Sequence, residues 1–215
     1  MGRTIPNWCN NHITLEHDDP TMIKRAYDAL ERGEFLQEFI PVPEDLKIVA
    51  GRMGDPVEQK ELELKEELNR IVHGYTNWYD FCVNEWGTKW DCGEQGNADI
   101  NPNDPKMLTA GFDTAWAPPI AAYEKLMDMG FSIKAGYYEP GMCFAGIWED
   151  GVDDLYEYGE MSSTEVAAQL PRELDDMFGI SESMAEYEAE NEEEELTTWI
   201  KDGKEANDKL GLITE

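Results

Sequence analysis

Cys9 and His12, three residues apart in "PNWCNNHITLE", are the first pair able to do chemistry, since thiolate and imidazole are ordinary zinc ligands. A tetrahedral site needs two more donors. Cys82 and Cys92 are the obvious candidates, and they lack the close C-x-x-C spacing of a structural zinc site. In a strand, moreover, Cys9 and His12 leave opposite faces, because side chains alternate with period two. The expectation is a small buried thiol at a strand start, an incidental histidine, and no metal or cofactor.

Asp99, Asp104 and Asp113 fall in or beside neighbouring predicted strands, where a small metal-dependent enzyme could use them. Thr114 and the Pro118-Pro119 turn that follow Asp113 point to local hydrogen bonding instead. There is no His-acid motif, serine elbow or glycine-rich phosphate loop, and only three histidines, so no catalytic residue is assigned and the expected activity is non-enzymatic. Trp78, Trp86 and Trp90 could stack bases, but a stacking platform sits in a basic groove. They are expected to form a core or domain-capping cluster around the Gly87 turn, with Lys89 over a ring or paired with an acid.

Carboxylates are the remaining candidates. The 215 residues carry 47 acids against 17 bases, a formal charge of −30. Such a chain repels nucleic acid and anionic membranes and attracts basic surfaces. Residues 151–200 hold sixteen acids and one base, Arg172. Within them, 186–195 place seven carboxylates in ten positions; a helix there would carry about one charge per 2 Å. Duplex DNA carries one per ~1.7 Å of axis, so DNA mimicry is physically sensible, with a solvated acidic tail as the plain alternative. The expected partner-binding residues are Asp153, Asp154, Asp175, Asp176, Glu186, Glu188, Glu190, Glu192, Glu193, Glu194 and Glu195, with Trp199 as a hydrophobic anchor.

The elements that must position these residues can be read from the pattern. A strand is predicted over Asn11–Glu16. A helix follows, capped by Asp19-Pro20, burying Met22, Ile23, Ala26, Tyr27 and Leu30, and stopping at Gly33. "FLQEFIPVPEDL" reads as an apolar loop. A second helix over Val57–Val72 is expected to bury Leu64, Leu68, Ile71 and Val72 and to pair Glu61 with Lys65 and Glu66 with Arg70. "NADIN" and "MLTAGFDT" read as strands joined at Asn103-Asp104-Pro105. A helix from Pro118-Pro119 should bury Ile120, Tyr123 and Met127 before ending at Gly130. "FSIKAGYYE", "CFAGIWE" and "VDDLYEY" then form a meander. Ser162 with Glu165 predicts a capping box, and Pro171 should split the helix that follows. From Ser181 onward the chain reads as an acidic tail.

Strand, helix, insertion, two strands, helix, strand is the βαββαβ order of a ferredoxin-like α+β sandwich. The expected organisation is that domain over 1–160, with a helical insertion at about 35–95 and an added β-meander. An acidic helical extension, in part disordered, follows over 161–215. "PNWCNN", "FCVNEWGTKWD", "GFDTAWAPP" and "YYEPGMCFAG" occur in this order and together resemble the YubB-type ferredoxin-like proteins of phages, prophages and plasmids, over roughly residues 5–150. The resemblance implies a ferredoxin-like domain of mobile-element origin and no catalytic residues. The acidic segment lies outside it.

The widely spaced cysteines, the polar start "MGRTIPNWCNN" and the lack of a long apolar run lead us to expect a cytoplasmic protein of the host cell. The expected partner is a basic host protein that binds nucleic acid or serves in defence, with no direct contact to nucleic acid or membrane. A homodimer is compatible with this. The competing readings are the metal-dependent enzyme and a structural or assembly protein with a solubilising tail.

Overall fold

Alternation of apolar and polar side chains makes Trp8–Glu16 the central strand, β1, with Cys9, Asn11, Ile13 and Leu15 buried and Trp8, His12 and Glu16 exposed. In the computed structural model, residues 7–93 and 97–210 are described, with side chains given throughout except at 195, 196 and 202–210. Asp19 caps α1 (Pro20–Glu31) by accepting the Thr21 N–H, and Ile23, Ala26, Ala29 and Leu30 turn inward. After α1 come α2 (Phe35–Phe39), a short 3-10 turn at Glu44–Leu46, α3 (Pro56–His73) and α4 (Trp78–Glu85). Next are β2 (Asn97–Ile100), β3 (Met107–Ala115), α5 (Ile120–Asp128), β4 (Ser132–Glu139), β5 (Phe144–Glu149) and β6 (Val152–Glu157).

The six strands form one antiparallel sheet in the order β2-β3-β1-β4-β5-β6. The connectivity through β4 is βαββαβ, interrupted by the excursion from α2 to α4. β1 and β2 run parallel with β3 between them, and β3 and β4 run parallel with β1 between them, so two split β-α-β units interleave. This is an α+β fold. On the buried face Leu15 pairs with Leu108 and Ile133, and Ile13 with Ala110 and Ala135. Over these pack Ile23, Leu30, Phe35, Phe39, Tyr123 and Leu126 in a single core cluster.

Three expectations are corrected. "FLQEF" is helical, because the Asp91 carboxylate reaches back 55 residues to accept the N–H groups of Leu36 (2.9 Å) and Gln37 (2.8 Å), capping a helix that the local sequence leaves uncapped. In α5 the buried face is Ala122, Tyr123 and Leu126, while Met127 is exposed and Ile120 only half-buried. The third concerns α3, which forms as predicted under the Asp55 cap. There the apolar stripe faces solvent: Leu64, Leu68, Ile71 and Val72 are 60–74% exposed, and the helix instead buries Leu62 and Asn69. Asn69 donates to the carbonyls of Asp45 and Thr76, so a polar clamp rather than the leucine stripe seats the helix. Arg70 pairs with Glu67 at 2.6 Å, and the expected Glu61–Lys65 and Glu66–Arg70 pairs are not formed.

The chain divides into two compact units, Met1–Glu157 and Tyr158–Glu215. The second holds α6 (Ser163–Gln169), α7 (Arg172–Phe178) and α8 (Ile180–Leu210). Ser162 and Glu165 form the predicted capping box, and Leu170 before Pro171 is extended, which separates α6 from α7.

Candidate functional site

The carboxylates that sequence reasoning singled out are positioned by α7, α8 and β6. Gly179 takes a left-handed conformation (φ 62°), ending α7 and letting α8 start at once. Asp175 spans that break: its carboxylate accepts the Ser181 N–H at 2.8 Å and hydroxyl at 2.6 Å, serving as the cap of α8. Asp176 pairs with Arg172 at 3.2 Å. Glu188 accepts the Ser163 N–H (2.8 Å) and hydroxyl (2.6 Å), which ties α8 to the start of α6 and holds the carboxyl below the ordinary glutamate range.

Glu186, Glu190, Glu192, Glu193 and Glu194 are exposed on α8. At 3.6 residues per turn, Glu186, Glu190, Glu193 and Glu194 fall on one face, continued toward the helix start by Glu182, which sequence reasoning left out. Glu192 lies on the side of Glu188. Trp199 is 73% exposed, and the side chain of Glu195 lies outside those described. What read as a tail is therefore one 31-residue helix. In the first unit, Asp153 and Asp154 are exposed on edge strand β6, where paired acids also discourage edge-to-edge strand addition. The Asp153 carboxylate accepts the Tyr137 hydroxyl at 2.6 Å. Of the predicted binding carboxylates, Asp153, Asp175, Asp176 and Glu188 thus have bonds within their own unit.

The other candidates separate as follows. Cys9 is buried with its thiol pushed up to about 12 by desolvation, and His12 is exposed on the opposite face of β1, as strand parity requires. Burial likewise pushes Cys82 and Cys92 up to about 12. Among the described residues, no three His, Cys, Asp or Glu side chains converge as a metal site would need. Asp104 accepts the Lys106 N–H within its turn, and Asp113 accepts the Asn10 side-chain amide at 2.6 Å. Asp99 pairs in register with Thr109, four residues along β3 from Asp113 and about 13 Å away. The three aspartates are not brought together.

The tryptophans divide. Trp86 is core, donating its indole N–H to the Ile40 carbonyl, and Trp78 packs against the core. Trp90, however, lies on the surface in a row with Trp8 and Trp116, each 36–42% exposed, with ring centroids 6.2 and 6.5 Å apart. The Lys89 ammonium lies over Trp90 (4.4 Å) and Trp116 (5.2 Å), as expected of a cation between aromatic rings. Trp8 opens β1 and Trp116 follows the last residue of β3, two strands that pair antiparallel from distant parts of the chain, so periodicity within the Trp-rich segment gives no sign of the row.

Among the described residues, no helix is long and apolar enough to cross a membrane. No family model and no curated protein matches the chain. Among solved structures the chain is similar to the crystal structure of a protein api92 from Yersinia pseudotuberculosis, of the family DUF1281. The similarity covers 72% of this chain and 99% of that one, at 13% sequence identity and a TM-score of 0.42.

Proposed function

We propose that this protein is an acidic, non-enzymatic binding protein that occupies a basic surface which otherwise holds nucleic acid. The supporting observation is the exposed carboxylate face of α8. Glu186, Glu190, Glu193 and Glu194 cover about 12 Å of helix axis, one charge per ~3–4 Å. A single DNA strand presents one phosphate per ~3.4 Å. Because Glu188 is committed to Ser163, the face corresponds to one strand's phosphate row rather than to a duplex. Trp199, exposed on the same helix but on the side of Glu188 and Glu192, offers an apolar contact away from this face.

The mobile-element origin that the YubB-type resemblance implies supports a host factor of the restriction or defence class as the target. Binding of this kind is fast and weakens with salt, because it releases counterions from both surfaces. The test is capture from host lysate at low and high salt, followed by competition between the captured protein's DNA and the purified acidic chain. A salt-released partner that loses its DNA to the wild-type chain, and keeps it against a Glu186→Gln/Glu190→Gln/Glu193→Gln/Glu194→Gln variant, supports the reading. Equal competition by that variant, or no partner at low salt, refutes it.

A further inference from the structure

We infer that the outward face of α3 is the interface of a homodimer in which two copies of α3 pack antiparallel about a two-fold axis near Leu64. Val57, Leu64 and Ile71 are seven residues apart, with Leu68 four beyond Leu64 and Val72 four beyond that. This is the spacing of an apolar seam about 22 Å long, into which Glu61 is set between Val57 and Leu64. All five are 60–74% exposed, whereas Leu62 and Asn69, also seven apart, hold the opposite side of the helix to the domain. Apolar stripes of this kind ordinarily face a core; here the core side is taken, and the stripe looks outward.

The flanking charges select a second copy of this chain as the occupant. Lys60 and Glu67 border one edge of the seam and Lys65 the other, with Glu61 inside the seam on the Lys65 side. An antiparallel two-fold pairing centred between residues 63 and 64 sets Lys60 opposite the partner's Glu67, and Glu61 opposite the partner's Lys65. Each contact occurs twice by symmetry. To within one residue's rise, about 1.5 Å, the same register brings Leu64 against its own copy and Val57 against the partner's Ile71. Among the described residues neither Lys60 nor Lys65 has an ion pair within the chain, although the chain carries 47 acids; Glu67 pairs only with Arg70.

A one-helix interface is smaller than the ~800 Å² per partner of a standard complex, so the dimer is weak and reversible, with a Kd on the order of 10 μM. Each copy carries −30, so salt screens the mutual repulsion and tightens the dimer. That sign is opposite to the one expected for the basic partner of α8, and the two readings stand or fall separately.

The test is sedimentation equilibrium of the full chain up to about 0.5 mM, far above the expected Kd. The wild type should dimerise, and more strongly at high salt. Leu64→Glu/Leu68→Glu, exposed changes that leave the circular dichroism and melting temperature intact, should be monomeric. Lys60→Glu should weaken the dimer about tenfold by turning two attractive pairs repulsive, and adding Glu67→Lys should restore it. A wild-type monomer at about 0.5 mM, or a dimer that survives Leu64→Glu/Leu68→Glu, overturns the proposal. So does a failure of Glu67→Lys to rescue Lys60→Glu.

Discussion

Gly146→Ala should unseat the aromatic ring that holds Asp153. A Cβ at Gly146 would fall inside contact distance of the Tyr137 hydroxyl and its ring carbon, and 2.8 Å from the Asp154 carbonyl. Tyr137 is 1% exposed and pairs in register with Gly146, its ring filling the space a side chain there would occupy. Expelling the ring is an overpacking change of about 1–3 kcal/mol. It also breaks the Tyr137–Asp153 hydrogen bond, about 1 kcal/mol for a carboxylate that water can reach. The total is about 3 kcal/mol, a large part of a small domain's margin.

In a Tyr137→Leu background the ring is gone and only the Asp154 carbonyl opposes the new methyl, so Gly146→Ala should then cost about 1 kcal/mol. The coupling is about 2 kcal/mol. Urea unfolding followed by tryptophan fluorescence reads this out, since six of the seven tryptophans lie before residue 158. Equal costs in both backgrounds, or a cost under about 0.5 kcal/mol in the wild type, would refute the packing argument.

Three further outcomes are expected. Under native conditions a thiol reagent at pH 8 should label Cys143, which is partly exposed, and spare Cys9, Cys82 and Cys92, whose burial pushes each thiol up to about 12; two or more fast thiols would contradict this. Asp91→Ala should destabilise the first unit by about 2–3 kcal/mol by orphaning the N–H groups of Leu36 and Gln37, measured by urea unfolding. The Ser163 hydroxyl and N–H lower the Glu188 carboxyl below its ordinary 4.5, so its stabilising contribution is full above that value and is lost as pH falls through the lowered one. The helicity difference between wild type and Glu188→Gln should therefore shrink as pH falls below the ordinary 4.5, and a difference that does not change on acidification would count against the cap.

Much of the fold is legible in local patterns. Asp19-Pro20 and Ser162 with Glu165 announce two helix starts, and each forms as predicted because a cap is satisfied within three residues. Strand β3 follows period-two alternation, turn residues bound the other strands, and Pro171 divides α6 from α7 through sterics that need no partner. The parity argument separating Cys9 from His12 holds for the same reason: alternation is a property of any strand.

What the sequence by itself determined is therefore the class of the fold, the order of the strands in the chain, and a charge of −30. Only the tertiary structure decided which carboxylates are occupied and which apolar residues are left over. Glu188 and Asp175 look identical to their neighbours until Ser163 and Ser181 arrive beside them. Periodicity finds the stripe on α3 but carries no sign for its direction. A buried Asn69, bonded to the backbone carbonyls of Asp45, 24 residues before it, and of Thr76, beyond the helix end, outweighs the leucines in seating the helix, and so turns them to the solvent.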